Sequence, residues 1–216
     1  SNAALLKEGD LRYAFGHGGR LCRLNLRTGK LRVLLDDPEG GVRDPNVHYD
    51  GRKILFSYRR SGTTTFHLYE IGIDGTHLRR LTDPTPTCHA YQGSLHGQHD
   101  VAPAYLADDR IVFLSTRPSG LVPCNNTGVA ILHVMNADGS DIHPISVNNV
   151  NEFDPCLMPD GRILFGRWEY IDKNALTIQS LWTVNPDGTQ ETAFFANNMV
   201  FPEAILDARP VPDSPQ

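Results

Sequence analysis

The sequence predicts an all-β protein, a β-propeller of four-stranded antiparallel blades, present as an incomplete fragment of about four blades. Three observations support this prediction. A motif from proline to aspartate recurs along the 216 residues, two apolar runs follow each clear copy, and Asp-Gly turns close these units. The 19 glycines and 15 prolines also favour many short elements over long helices.

Each repeat opens with a proline that is followed five residues later by an aspartate in a turn. Three clear copies begin at Pro45, Pro103 and Pro155, and a fainter fourth begins at Pro202. The first residue of a strand need not donate a ladder hydrogen bond, so proline is tolerated there. We therefore expect these prolines at or near the start of the innermost strand of each blade.

Two apolar runs follow the motif, and a turn of the type Asp-Gly-Thr or Asp-Gly-Ser closes the second run. The paired runs are 54–57 with 66–71, 111–114 with 130–135, and 163–165 with 180–184. Asp-Gly between such runs is a strong hairpin signal, because the turn needs a positive φ. A short final strand brings each unit to four strands, the composition of a propeller blade.

The repeats make residues 4–216 a single propeller segment. Full blades are expected at 44–82, 101–147 and 154–195, with a partial blade at 11–35 and the start of a further blade at 201–211. Ser1-Asn2-Ala3 is typical of the residues left when an affinity tag is cleaved. Because an open arc leaves strand edges unpaired, we expect the natural gene to encode further blades.

Composition limits the function classes. With 20 basic and 25 acidic residues the net charge is −5, which argues against a nucleic-acid partner. No apolar stretch approaches the roughly 18 residues needed to cross a bilayer, so no membrane span is expected. No signal peptide is visible, but the natural N-terminus has been replaced, so localisation must be inferred from other features.

The repeats resemble the TolB-type propeller, a WD-repeat-like family. Its repeat ends an apolar strand with Asn-x-Asp-Gly-Ser/Thr, as residues 132–140 do here. A closer similarity, carried by 151–155, 160–165, 167–172 and 181–188, is to bacterial proteins that share the propeller domain of the hydrazine synthase alpha subunit. The resemblance covers roughly residues 11–210 and implies a propeller fold. It does not imply hydrazine chemistry, because the chain has no Cys-x-x-Cys-His haem motif.

In a propeller the Asp-Gly turns share one face, and the longer loops lie on the opposite face, here called the long-loop face. Its loops are 83–100, 117–128, 147–153, 167–178 and 196–201. The first of them contains His96 and His99, whose imidazoles could hold a divalent metal ion beside Asp100. The alternative is that these histidines are solvated or capping residues.

A second group of charged residues flanks the third repeat and is completed by residues of the second. It consists of Asp100, Arg117, Glu152, Asp154, Arg167 and Glu169. One interpretation is a polar mouth for a carbohydrate, peptide or cation, with His99 and the acidic residues pointing toward the propeller axis. The other is structural, with Glu152 or Asp154 paired with Arg167.

Four cysteines are present and none forms a Cys-x-x-Cys pair, so a zinc ribbon or a redox motif of that type is not indicated. Cys88 and Cys124 lie on loops of the same face, so a disulfide between them is geometrically possible. Such a bridge would imply an oxidising compartment, in agreement with the periplasmic or extracellular location that the TolB resemblance implies. The alternative is four free cysteines.

Three functions agree with these features. The first is an exported, non-catalytic propeller that presents loops to a protein partner or carbohydrate ligand. The second is a metal-dependent polysaccharide lyase or hydrolase that uses the histidine-containing loop, and the third is the scaffold domain of a larger enzyme. The sequence does not specify a substrate, an oligomeric state or a resident cofactor, and it leaves open whether the chain is an enzyme.

Overall fold

The computed structural model describes residues 18–83, 98–118, 120–123, 128–169, 179–199, 201–202 and 204–211. These residues form strands, turns and loops without a helix, so none of them forms a helix that could cross a bilayer. The strands are β1 (Gly19–Leu24), β2 (Leu31–Asp37), β3 (Gly41–Val47), β4 (Lys53–Arg59), β5 (His67–Gly72), β6 (Arg79–Arg80), β7 (Asp100–Tyr105), β8 (Ile111–Ser115), β9 (Ile131–Met135), β10 (His143–Pro144), β11 (Glu152–Leu157), β12 (Ile163–Trp168), β13 (Gln179–Val184) and β14 (Thr192–Phe195).

The strands form three four-stranded sheets and one two-stranded sheet. Each larger sheet is an antiparallel meander in chain order: β3–β6 is blade 1, β7–β10 is blade 2 and β11–β14 is blade 3. The first strand of blade 2 contacts the first strands of blades 1 and 3, so the first strands are innermost. The prediction of an all-β propeller with four-stranded blades is confirmed.

Apolar side chains fill the spaces between neighbouring sheets. The β1–β2 hairpin packs Leu21 and Leu34 against Ile54 and Phe56 of blade 1. A second cluster joins blades 1 and 2, and a third extends from blade 2 to blade 3 through Val134 and Phe165. Burial between sheets is therefore the main source of stability, as in any repeat protein whose units cannot fold alone.

Every innermost strand contains a β-bulge at the repeat proline. The pairing register shifts between Arg43 and Asn46, Val101 and Ala104, and Phe153 and Cys156. The residue before each proline has a positive φ: 53° at Asp44, 50° at Ala102 and 46° at Asp154. The prolines therefore lie inside the strands and not near their starts, because the bulge already removes the ladder bond that proline cannot donate.

The same geometry returns in residues 204–211, beside blade 3. The Ile205 N–H donates to the Gln179 carbonyl at 3.0 Å, as Glu152 N–H does to Ala130 in the preceding blade. Asp207 then has a φ of 53°, matching Asp154. Ala208, not Pro202, thus occupies the position of Pro155, which corrects the alignment expected for the fourth repeat.

The Asp-Gly turns also make contacts between blades. Gly75, Gly139 and Gly188 have positive φ values of 82°, 93° and 81°. A Cβ at Gly139 would lie 2.3 Å from the carbonyl oxygen of Leu81 in the preceding blade, and one at Gly188 would lie 2.8 Å from that of Ile145. Glycine is needed here both for the turn and for the close approach of two backbones. Residues 11–17 of the partial blade predicted at 11–35 lie outside the described residues.

Candidate functional site

Asp100, on the long-loop face, is completely buried at the first position of β7. Its carboxylate accepts hydrogen bonds from Ser115 Oγ at 2.7 Å and from Arg117 Nη2 at 2.8 Å, and His67 Nδ1 of blade 1 lies 3.5 Å away. Burial alone would raise the pKa of Asp100, but His67, Arg117 and Ser115 together lower it. The carboxylate is therefore ionised at neutral pH, and it joins blade 2 to blade 1.

Glu152 occupies the corresponding first position of β11 in blade 3, and it is also buried. Its carboxylate accepts from the Leu132 N–H at 2.6 Å, from Ser146 Oγ at 2.7 Å and from the Asn148 side-chain amide. All three donors are neutral. Burial outweighs them and raises the pKa of Glu152 to about 7.

Arg167 is the register partner of Glu152 on β12, but its guanidinium donates to Glu191 and lies 4.5 Å from the Trp182 ring centroid. The structural alternative, in which Glu152 or Asp154 pairs with Arg167, is therefore not what the structure shows. Arg167 is held within blade 3 by an ion pair and a cation–π contact.

Glu169 follows the end of β12 and is buried as well. It accepts from Ser180 Oγ at 2.5 Å, from Trp182 Nε1 at 3.1 Å and from Asn197 Nδ2 at 2.9 Å. These bonds tie the loop after β12 to β13 and to the segment after β14.

Three aspartates with a left-handed backbone conformation, Asp44, Asp154 and Asp207, lie near one another. Asp44 accepts from Ser57 Oγ at 3.1 Å and from the backbone N–H of Ala102 in the next blade at 3.0 Å. Burial, together with the charges of Asp207 and Asp44, raises the pKa of Asp154. The orientation of Asp154 toward the propeller axis stays a prediction.

His99 is buried at the junction of blades 1 and 2, where its Nδ1 accepts the Phe66 N–H at 3.2 Å. In a neutral imidazole that accepts at Nδ1, the proton is on Nε2. To bind a metal, the His99 ring would have to lose either the Nε2 proton or the hydrogen bond that Nδ1 accepts from Phe66. The buried His99 ring contacts the Phe66 ring, so it contributes to the packing between blades 1 and 2. His96 and the pair Cys88 and Cys124 lie outside the described residues.

The predicted residues thus take part in separate interactions, except for Asp100 and Arg117, which pair with each other. Within the described ranges, no three His, Cys, Asp or Glu side chains are placed to hold a metal ion. Sequence reasoning missed the partners His67, Ser115 and Ser146. A repeated hydroxyl, Thr82 after Leu81 and Ser146 after Ile145, is a signal that could have identified the bonds between blades.

No protein-family model matches the chain. Among curated proteins it is similar to hydrazine synthase subunit alpha of Kuenenia stuttgartiensis, with 26% identity over 68% of this chain and 23% of that protein. The chain thus spans about a quarter of the length of this relative.

Solved structures give the same result. Hydrazine synthase of Kuenenia stuttgartiensis matches with a TM-score of 0.66 and 22% identity, over 84% of this chain and 28% of that one. TolB of Agrobacterium tumefaciens matches with a TM-score of 0.55 and 19% identity, over 77% of this chain and 53% of that one. An oligogalacturonate lyase in complex with manganese matches with a TM-score of 0.54 and 13% identity, over 82% of this chain and 47% of that one. These likenesses show the fold, and the chain accordingly has the β-propeller fold found in TolB and hydrazine synthase.

Proposed function

We propose that this chain is a propeller scaffold that presents its long-loop face to a protein partner or a carbohydrate ligand. One observation carries the proposal: Asp100, Glu152 and Glu169 are buried and accept hydrogen bonds from the protein itself. A carboxylate that acts on a substrate must reach it, whereas these groups fix the bases of loops. In this proposal the scaffold is non-catalytic on its own, and the tips of the loops make the contacts.

The exposed surface above these carboxylates supports a binding role. Val147 is 94% exposed at the start of the 147–151 loop, while Asn151 at its end accepts the Ala130 N–H at 2.8 Å. A loop with fixed ends loses little conformational entropy on binding, which favours affinity. Export to the periplasm or the cell exterior is part of the proposal and follows the TolB resemblance.

The experiment compares the two faces. A photo-crosslinking residue at position 147 captures the partner, and binding of that purified partner, or of a glycan found on an array, is then measured by calorimetry. Val147→Asp should weaken binding at least tenfold. Leu78→Asp, at an exposed apolar residue next to the β5–β6 turn, should leave it unchanged. Loss of binding in the Leu78 variant alone would place the site on the turn face and overturn the proposal.

Metal analysis tests the rival lyase or hydrolase function. A stoichiometric divalent metal in the purified protein that is lost in His96→Ala and His99→Ala would replace the scaffold proposal.

Because the chain spans about a quarter of its curated relative, a third proposal is that it serves as the scaffold domain of a larger enzyme.

A further inference from the structure

Two buried carboxylates occupy the same position in successive blades but have different partners. Asp100 and Glu152 both begin an innermost strand. Ser146, at the end of the preceding blade, donates to Glu152, and Thr82 in the equivalent position helps to lower the pKa of Asp100. Asp100 also has the guanidinium of Arg117 at 2.8 Å. Among the described residues, Glu152 has no Lys or Arg within ion-pair distance.

The charged groups around Glu152 do not replace that cation. On β9, His133 is buried, and burial lowers its pKa to about 4, so it is neutral at pH 7. On β12, Arg167 is engaged by Glu191, and the Glu191 charge itself raises the pKa of Glu152. Asp100, on β7 of the neighbouring blade, is paired with Arg117. The segment before β11 offers only the neutral groups of Ser146 and Asn148.

The hydrogen bonds are divided between the two carboxylate oxygens. Oε2 accepts from Leu132 N–H and Ser146 Oγ, whereas Oε1 accepts from the Asn148 amide. A proton from solvent would therefore go to Oε1, since Oε2 is occupied by two donors. Oε1–H is then a donor facing the Asn148 NH2 group, which is also a donor. The contact is restored only if the Asn148 amide turns and offers its oxygen.

We propose that Glu152 and Asn148 form a proton-operated latch on the 147–151 loop of the long-loop face. With Glu152 ionised, Asn148 points its NH2 group inward; with Glu152 protonated, the amide turns and the NH2 group faces the surface beside Val147. The elevated pKa of Glu152, about 7, places the change near neutral pH. This inference rests on the proposed function only in treating the loop as part of the binding face.

NMR of the uniformly 15N-labelled protein from pH 5 to 9 tests the latch without any ligand. The Asn148 side-chain amide and the backbone amides of 147–152 should shift together with a midpoint of about 7. Amides next to Asp100, such as that of Ser115, should show no such transition and act as an internal control. In Glu152→Gln the transition should disappear.

A second variant keeps the test decisive if Glu152→Gln does not fold. Asn148→Asp places another carboxylate beside Glu152, so the midpoint should rise by about one pH unit. A flat titration in the natural protein would overturn the latch, as would a transition that persists in Glu152→Gln or a midpoint unmoved in Asn148→Asp. If the titration shows the latch but Val147→Asp leaves partner binding intact, the proposed binding face fails and the latch stands.

Discussion

A histidine between two carboxylates links blades 1 and 2 at the face opposite the long loops. His48 Nε2 lies 2.8 Å from Asp109 Oδ1, and Nδ1 lies 2.9 Å from Asp50 Oδ1. Asp109 reaches it from a left-handed conformation with a φ of 67°, in the turn position that Gly161 fills in blade 3. Burial lowers the pKa of His48, but the two carboxylates outweigh burial and raise it above its usual value.

The two contacts of His48 predict that the free energy of unfolding depends on pH. Because the pKa of His48 is raised in the fold, its contribution is complete below about 6.5, the pKa of an unperturbed histidine. The contribution is lost as the pH rises through the elevated pKa. Urea unfolding at pH 6 and pH 8 should show a decrease that is smaller in His48→Gln, where the contribution of Glu152 remains, and intermediate in Asp109→Gly. An equal decrease in His48→Gln would contradict the role assigned to this residue.

At this scale the sequence identified several charged residues but not their partners. Asp100 and Arg117 are both predicted site residues, and the structure pairs them with each other. The same reasoning could not predict that Arg167 turns to Glu191. A guanidinium on β12 can reach several carboxylates, and the choice depends on side-chain packing against Trp182.

Among the elements, the turn glycines test how closely the blades approach. Gly139 and Gly51 both have positive φ, 93° and 68°, but only Gly139 has a neighbouring backbone within contact distance. Gly51→Ala should cost about 1 kcal/mol for the left-handed conformation alone. Gly139→Ala should cost a further 1–3 kcal/mol or so, because the methyl group meets the Leu81 carbonyl. Urea unfolding of both variants measures the difference, and equal costs would show that the blades adapt.

The strands themselves were accessible from the sequence because alternation and turn residues recur in each repeat. The β-bulges could not be predicted from the sequence. A proline after a loop signals a strand start by general rules, and only the positive φ of the preceding residue shows that the strand has already begun. In the fourth repeat this led to an alignment on Pro202, whereas Asp207 marks the true register.

For the whole molecule, the remaining prediction concerns its redox state. The structure shows Cys22 exposed and Cys156 buried, both as free thiols. A disulfide between Cys88 and Cys124 remains a prediction, as does the oxidising compartment that it would imply. Thiol titration under denaturing, non-reducing conditions should detect two thiols per chain. Four thiols would rule out the bridge and remove one argument for export.

The candidate site could be predicted only in part, because its contacts join different strands and loops, as the bond from the Leu132 N–H to Glu152 does. Sequence repeats show that such segments occupy equivalent positions, and so the long-loop face was predictable. Whether a carboxylate there meets a cation, as Asp100 does, or only neutral donors, as Glu152 does, depends on the packing of two blades.

The contacts of the turn glycines have one direction along the chain. Gly139 contacts the backbone of Leu81, and Gly188 contacts that of Ile145, so the last turn of each blade packs against the blade that precedes it. During translation, residues emerge from the ribosome in the same order. Each new blade can therefore pack on the preceding blade as soon as its own strands are available, which limits the apolar surface that is exposed during synthesis. The order of synthesis therefore matches the direction of these contacts along the chain.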